Sequence, residues 1–135
     1  MKFLLDANVL SESVKPHPDL QVLEFIARQE AECATSSVVI GEIESGVRMM
    51  DQGRKQREYL AWLERLVETT EVLPFDLVAA RTWARLIVKL QGQGQPLPLK
   101  DSMIAGTALV HGLTVVTRNV KAFERTGVVV LNPFC

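Results

Sequence analysis

Short apolar runs alternate along the chain with longer segments in which apolar residues recur every three or four positions. A short apolar run predicts a buried strand, and the longer spacing predicts a helix with one buried face. The predicted strands span 2–5, 33–35, 71–73, 113–117 and 127–131. The predicted helices span 19–30, 37–50, a segment after Gly53 that includes Tyr59 and Val67, a segment from Asp76 to Leu90, and 101–111.

Four of the predicted helices carry an apolar stripe that we expect to face the core. Ser37 and Asp76 are the expected N-caps of their helices, because Ser and Asp side chains bond readily to the free amides of a first turn. The helix 101–111 is small and apolar almost all round and is expected to be buried. The stripes comprise Leu20, Leu23, Ile26 and Ala27; Val39, Ile43, Val47 and Met50; Tyr59, Leu60, Leu63, Leu66 and Val67; and Leu77, Ala80, Ala84, Ile87 and Leu90.

The alternation of strands and helices predicts an α/β fold with a short central parallel sheet covered by helices on both faces. The segment 92–100, GQGQPLPLK, is rich in Gly and Pro but too short to be a domain linker. We therefore expect one domain over residues 1–135. Parallel sheets bind ligands at the carboxyl ends of their strands, so polar residues at those ends are candidates for function.

Composition narrows the partners and the compartment. The 135 residues include 15 Lys or Arg and 16 Asp or Glu, so any nucleic-acid binding must use a local basic patch. Cys33 and Cys135 form no disulfide framework or metal motif, and free thiols indicate a reducing cytoplasm. The apolar run before Asp6 is only three residues long, which is too short for a signal sequence, and no stretch approaches a membrane span.

Polar residues follow two of the predicted strands directly. Asp6 ends the first strand, where it is either a site residue or the N-cap of a helix beginning near Ala7, and Asn8 is an alternative cap. Thr117 and Asn119 follow the strand LTVV, and Asn119 alone would be read as the cap of the segment VKAFER. Because ends of parallel strands share an edge of the sheet, we expect Asp6 and Asn119 to lie near each other.

Two acids in helices complete the candidate site. Glu44 has Arg48 four residues later, which is the spacing of an ion pair on a helix surface, whereas Glu42 has no cation at such a spacing. Glu42 is therefore either a site residue or an unpaired residue on the surface. Asp101 opens the buried helix and is compatible with a capping role, a ligand role or both. Crowded carboxylates repel one another, and a hard divalent cation such as Mg²⁺ or Mn²⁺ relieves this repulsion through oxygen ligands. The candidate residues are Asp6, Glu42, Asp101 and Asn119.

Four stretches, LLDANVLSE, SSVVIGEIESGV, LPLKDSMIAGTAL and VVTRNVKAFERTGV, resemble the PIN-domain nucleases, in particular the VapC-type toxins of bacterial toxin–antitoxin pairs. The segments PHPDLQVLEFI and VVVLNPF resemble the FitB-like branch of that family. The resemblance covers nearly the whole chain and implies a three-layer α/β/α fold. It maps the family's acidic site, with its metal ligands, onto Asp6, Glu42 and Asp101, with Asn119 at the fourth position and Thr117 as a flanking hydroxyl.

The resemblance also implies an activity and partners. The family comprises Mg²⁺- or Mn²⁺-dependent endoribonucleases that cut structured RNA such as tRNA, usually as homodimers, and are inhibited by an antitoxin whose tail enters the acidic groove. Lys100 and Arg118 are candidate contacts to the RNA backbone. Many relatives carry Asp where Asn119 stands, and Asn keeps an oxygen ligand but removes one negative charge.

Two other classes of function are alternatives to the toxin hypothesis. The first is a binding module for RNA or antitoxin in which the altered fourth position has weakened cleavage. The second is an aspartate-based phosphatase or phospho-receiver. A phosphatase of that type requires a second Asp two residues after the first, where this chain has Asn8, and the paired acids of a receiver are not found.

Overall fold

The computed structural model describes residues 1–134 and contains one five-stranded sheet. Its strands are β1 (Phe3–Leu5), β2 (Cys33–Ser36), β3 (Glu71–Leu73), β4 (Thr114–Val116) and β5 (Val130–Leu131). The spatial order is β3-β2-β1-β4-β5, and every neighbouring pair is parallel. All five strands fall within or beside the predicted runs, although β5 covers only two residues of 127–131.

Helices connect the strands as the alternating pattern predicted. They are α1 (Ala7–Leu10), α2 (Leu20–Gln29), α3 (Ser37–Arg48), α4 (Arg54–Thr69), α5 (Leu77–Gly92), α6 (Leu99–His111) and α7 (Val120–Glu124), with 3₁₀ turns at Ser11–Val14 and Glu30–Glu32. In the part of the chain that the structure describes, no helix has the length and apolarity needed to cross a membrane. Cys33 is a free, half-buried thiol, and Cys135 lies outside the described residues.

Both faces of the sheet are covered. Consecutive residues are buried in the two central strands, Leu4 with Leu5 in β1 and Val115 with Val116 in β4. Because successive side chains of a strand point to opposite faces, a sheet covered on one face only would alternate buried and exposed residues. The burial pattern therefore confirms the predicted α/β fold, a parallel sheet flanked by helices.

The buried face of α5 differs from the predicted one. Leu77 is 71% exposed and Ala84 is also exposed, whereas Trp83 packs against Gly106 of α6. The helix carries apolar residues on two faces, so spacing alone did not distinguish them. The close approach of α5 to α6 at Gly106 decides which face turns inward, and the fully buried residues of α5 are Ala79, Leu86 and Leu90.

Two details of the neighbouring helices also correct the prediction. The N-cap of α3 is Ser36, whose Oγ accepts a hydrogen bond from the Val39 amide at 3.1 Å, because β2 runs one residue further than expected. Ser37 Oγ instead accepts from the Phe75 amide. In α2, the first helical residue Leu20 is exposed, and Val22 is buried in its place. Asp76 caps α5 as predicted.

The contact between α5 and α6 generates a stability prediction. A Cβ atom on Gly106 would lie 3.0 Å from Trp83 Cβ and 3.2 Å from Trp83 Cα, so Gly106→Ala forces the two helices apart. We expect it to lower the free energy of unfolding by about 1–3 kcal/mol, measured by urea denaturation. The matched control is Gly41→Ala in α3, which meets nothing within 4 Å and should gain up to about 1 kcal/mol from helix propensity. Equal effects at the two positions would contradict the close packing.

Candidate active site

Asp6 lies at the carboxyl end of β1 and is only 5% exposed. Its backbone amide donates to the carbonyl of Val116 at 3.0 Å and so continues the pairing of β1 with β4. Its side chain is the N-cap of α1, with Oδ1 accepting a hydrogen bond from the Ala7 amide at 2.8 Å. The capping interpretation of Asp6 is therefore correct, and Asn8 is not the cap. A short helix of this kind leaves the carboxylate at the sheet edge.

Thr117 joins the end of β4 to Asp6. Its buried hydroxyl donates to Asp6 Oδ2 at 2.8 Å and accepts a hydrogen bond from the Asn119 amide at 3.0 Å. Asn119 occupies the N-cap position of α7, yet its side chain makes no capping bond there and is exposed. The structure thus brings Asp6 and Thr117 into contact, and it joins Asn119 to Thr117 through the backbone while its side chain caps nothing.

Glu42 and Asp101 approach Asp6 from two packed helices. α3 contacts both α1 and α6, and these contacts bring Glu42 of α3 and Asp101 of α6 toward the end of β1. Burial raises the pKa of Glu42 above 4.5, and the negative charges of Asp6 and Asp101 raise it further against the opposing charge of Lys100. The pKa of Asp101 is raised above 3.8 by burial first and by Asp6 second. Burial and the charge of Asp6 therefore destabilise the charged forms of Glu42 and Asp101.

The position of Asp101 is set by the start of α6. The N-cap position belongs to Pro98, and Asp101 lies in the first turn of the helix, so the hypothesis that Asp101 is the N-cap is wrong. Ser102 Oγ donates to the Leu99 carbonyl at 2.6 Å and accepts a hydrogen bond from Trp83 Nε1 at 2.9 Å. These two hydrogen bonds attach the first turn of α6 to α5. The Asp101 carboxylate does not cap the helix.

The donor chemistry suits a hard divalent cation. Within residues 1–134, neither Glu42 nor Asp101 accepts a side-chain hydrogen bond or forms a salt bridge, although both carboxylates are partly buried. The same residues contain no group of three or more His, Cys, Asp or Glu side chains close enough to hold a metal ion together. Mg²⁺ commonly binds through one or two carboxylates and keeps several waters, and that mode is compatible with a spread set of oxygen ligands.

The two candidate RNA contacts lie at the rim. Lys100 is exposed immediately before Asp101, and its charge lowers the pKa values of both Glu42 and Asp101. Arg118 is exposed after Thr117, with its guanidinium carbon 3.9 Å from the centroid of the Phe134 ring. Lys100 is therefore near the carboxylates, whereas the charge of Arg118 acts on Glu12. Contact of either cation with RNA stays a prediction.

Sequence reasoning missed two polar residues near this edge. The sequence does not predict a site role for Asn8, yet its side chain contacts both Asp6 and Thr117. The spacing of two residues after Asp6 was the available signal, because it places Asn8 in the first turn of α1. Glu12 is buried, accepts a hydrogen bond from the Asp19 amide at 2.8 Å and pairs with Lys15, so it fixes the turn before α2.

The sequence pattern that defines the PIN domain family matches residues 3–129. The chain belongs to the PIN-domain family. The VapC ribonuclease Y4jK of Sinorhizobium fredii is 36% identical over 97% of this chain and 96% of its own length. The tRNA(fMet)-specific endonuclease VapC of Shigella flexneri is 33% identical over 94% and 93%. A crystal structure of FitAcB from Neisseria gonorrhoeae superposes with a TM-score of 0.91 at 30% identity and covers 97% of each chain.

In this PIN domain a groove of about 440 Å³ adjoins the acidic site. Its polar lining residues include Asn8, Glu42 and Lys15, and Glu42 is itself one of the site carboxylates. The remaining wall is largely apolar and aromatic, with Val14, Ile43, Val47, Met50, Tyr59 and Trp62. A surface of this composition suits an amphipathic segment better than a bare phosphate backbone.

The raised pKa values of Glu42 and Asp101 predict that the stability of this PIN domain depends on pH. Because the folded protein holds protons on Glu42 and Asp101 at pH values where the unfolded chain has lost them, stability falls as pH rises through that window. Glu42→Gln and Asp101→Asn should therefore raise the melting temperature of metal-free protein at pH 7. The gain should shrink as the pH falls below the ordinary values of 4.5 and 3.8.

Thermal denaturation in a chelating buffer from pH 3 to pH 8 measures this effect. The matched control is Glu44→Gln, because Glu44 lies on the same helix but pairs with Arg48 at 2.8 Å. That variant should show no gain at pH 7. If Glu42→Gln melts at or below the wild-type temperature at pH 7, the ionised Glu42 carboxylate does not destabilise the folded protein.

Proposed function

We propose that this chain is a Mg²⁺- or Mn²⁺-dependent endoribonuclease and the toxin of a type II toxin–antitoxin system. The observation that carries the proposal is the approach of Glu42 and Asp101 to Asp6 at one sheet edge, close enough for Asp6 to raise both pKa values. Like charges at that spacing, without a bonded protein cation, favour a bound divalent cation. Relatives named VapC ribonuclease and tRNA(fMet)-specific endonuclease support the choice of RNA.

Each residue of the site has a proposed role. Asp6 and Asp101 would be the main metal ligands, Glu42 would hold a ligating or metal-bound water, and Asn119 would contribute its side-chain oxygen. Thr117 fixes the orientation of Asp6 through the 2.8 Å hydrogen bond. A divalent cation bound there would polarise a phosphoryl oxygen and lower the pKa of a bound water. The residues of the chain would orient the attacking water in line with the scissile phosphate.

The proposed substrate is a structured RNA, with tRNA as the first candidate, because the Shigella flexneri relative is named for a tRNA. Lys100 and Arg118 would contact the RNA backbone beside the carboxylates. A chain of net charge −1 has no general basic surplus, so binding of RNA would depend on local cations such as these. We place this reaction in the cytoplasm.

The proposed partners are a cognate antitoxin and a second copy of the chain. Structural neighbours include FitAB bound to a DNA fragment and VapBC of Salmonella typhimurium bound to DNA, at 29% identity each. An antitoxin tail would lie in the apolar groove and extend toward Asp6. Exposed apolar residues of α5 and the start of α6 support a homodimer, since soluble monomers rarely expose such residues together. These residues are Leu77, Val78, Val88 and Leu99.

A second candidate function is an RNA- or antitoxin-binding module with weakened catalysis. Two observations favour it. Asn119 brings no charge to the fourth position, and the described residues hold no preformed cluster of three metal-ligating side chains. Cleavage of RNA by purified protein with and without metal separates the two functions.

The first functional prediction concerns Asp6 and Asp101. Asp6→Asn and Asp101→Asn should each lower kcat for RNA cleavage by at least about 100-fold, because a cation worth several kcal/mol to the transition state is lost. Both proteins should remain folded by circular dichroism. The matched control is Asp76→Ala, which removes the cap of α5, costs about 1 kcal/mol of stability and should leave cleavage unchanged. Near wild-type cleavage by either Asn variant would refute the proposed site.

The second functional prediction concerns metal affinity and Asn119. Mn²⁺ should raise the melting temperature, because a ligand that binds only the folded state stabilises it. Asn119→Asp should bind Mn²⁺ more tightly and keep cleavage, since it adds an oxygen ligand and a negative charge. Asn119→Ala should bind more weakly and cleave more slowly, though less so than Asp6→Asn.

Calorimetric titration with Mn²⁺ measures these affinities, and the melting temperature of metal-free protein is the control. The added charge of Asn119→Asp should lower that temperature while the metal-bound temperature rises. Equal Mn²⁺ affinity in the wild type and both variants would remove Asn119 from the site. The absence of any thermal shift at millimolar metal, together with full activity in a chelator, would refute metal dependence.

A further inference from the structure

The side chain of Asn8 connects the ends of the two central strands. Its Nδ2 lies 3.3 Å from Asp6 Oδ2 and 3.2 Å from Thr117 Oγ1, and its Oδ1 lies 3.1 Å from the backbone nitrogen of Arg118. Asn8 belongs to α1, and the residues it reaches on the other strand are more than 100 positions away in sequence. One amide group therefore joins the β1 end to the β4 end at the acidic site.

The partners of Asn8 fix the direction of every hydrogen bond in this network. The Arg118 backbone nitrogen can only donate, so the oxygen of the Asn8 amide must face it, and the NH₂ group must face Asp6 and Thr117. Thr117 Oγ1 then accepts from Asn8 Nδ2 and from the Asn119 amide, and its own hydrogen has to go to Asp6 Oδ2. The arrangement is consistent in only one orientation of the amide.

The network also determines what remains of the Asp6 carboxylate for a ligand. Oδ2 accepts from Thr117 and Asn8, and Oδ1 accepts from the Ala7 amide. A carboxylate has about four lone-pair sites, so three donors leave about one, on Oδ1. Without the Asn8 donor, Oδ2 would lose one of its two bonds, and Thr117 would lose one of its three.

We propose that Asn8 is a positioning residue of the acidic site, whose side-chain amide holds the Asp6 carboxylate, the Thr117 hydroxyl and the Thr117–Asn119 backbone in one arrangement. The proposal rests on the proposed function for its catalytic consequence. Partners that orient a metal ligand typically change metal affinity or activity by about 10- to 100-fold when removed. Asn8 itself touches neither the scissile bond nor the water in this assignment.

Two variants test the role of Asn8. Asn8→Ala should lower kcat for RNA cleavage by about 10- to 100-fold while KM changes by less than about threefold, because the rim contacts to RNA are intact. Asn8→Asp has the same shape and keeps the acceptor that faces the Arg118 amide, but it presents an oxygen to Asp6 and Thr117. It should lose at least as much kcat as Asn8→Ala, even though its extra charge attracts cations.

The matched control is Ser13→Ala, because the Ser13 hydroxyl bonds only to the nearby Leu10 carbonyl and is exposed. Its kcat and KM should equal those of the wild type. Wild-type kcat in Asn8→Asp would overturn the proposal, since any polar side chain that accepts from Arg118 would then suffice. A change in KM alone would also overturn it, because Asn8 would then act on RNA binding.

Amide hydrogen exchange in metal-free protein provides a test that does not depend on activity. In Asn8→Asp the Asn119 amide should exchange faster than in the wild type, because the Thr117 hydroxyl that accepts from it has lost its orientation. The Arg118 amide should stay protected. An unchanged Asn119 amide would overturn the positioning role. Inactive wild-type protein would refute the proposed function, while the exchange result would still decide the role of Asn8.

Discussion

The parallel pairing of β1 with β4 is the constraint on which the rest of the site depends. The pairing runs from Phe3 and Thr114 to Leu5 and Val116, and the bond from the Asp6 amide to the Val116 carbonyl extends it by one step. This register places Asp6 beside Thr117, so their side chains meet within 2.8 Å. A shift of one residue would turn Thr117 to the opposite face of the sheet and break that contact.

The candidate site also contains carboxylates whose ionised forms are unfavourable in the folded protein. Glu42 and Asp101 are half-buried beside Asp6, and burial is the largest cause of the rise in both pKa values. A protein selected for stability alone would place such groups in water or beside a cation, as it does with Glu44 and Arg48. The packing of α3 on α6 holds the acids in an unfavourable position, which is the usual signature of groups arranged to bind a ligand.

The sequence was sufficient where local chemistry decides the outcome. Asp6 followed a short apolar run, and the parallel strands predicted by alternation brought it to the edge that Thr117 also reaches. The sequence was insufficient where contacts between helices determine which face of a helix is buried or where a helix begins. The inward face of α5 depends on the fit of Trp83 against Gly106, and the start of α6 depends on the bond from Trp83 to Ser102. Each contact joins residues of two different helices, so the spacing of apolar residues within either helix does not predict it.

The uncharged residue at position 119 bears on how a cation would be recruited. Burial and the negative charge of Asp6 already raise the pKa values of Glu42 and Asp101, and a fourth carboxylate would add to this repulsion before any cation arrives. Asn119 retains an oxygen without that charge, and its side chain is exposed beside Thr117 rather than committed to capping α7. The metal-free fold is therefore less strained than a four-acid site would be. The missing charge would lower the affinity of the site for a divalent cation, because such a cation gains less from an amide oxygen than from a carboxylate. A metal site built this way would bind its cation less tightly but would leave the metal-free protein more stable. The hydrogen bonds among Asp6, Asn8 and Thr117 hold the geometry of the metal-free site.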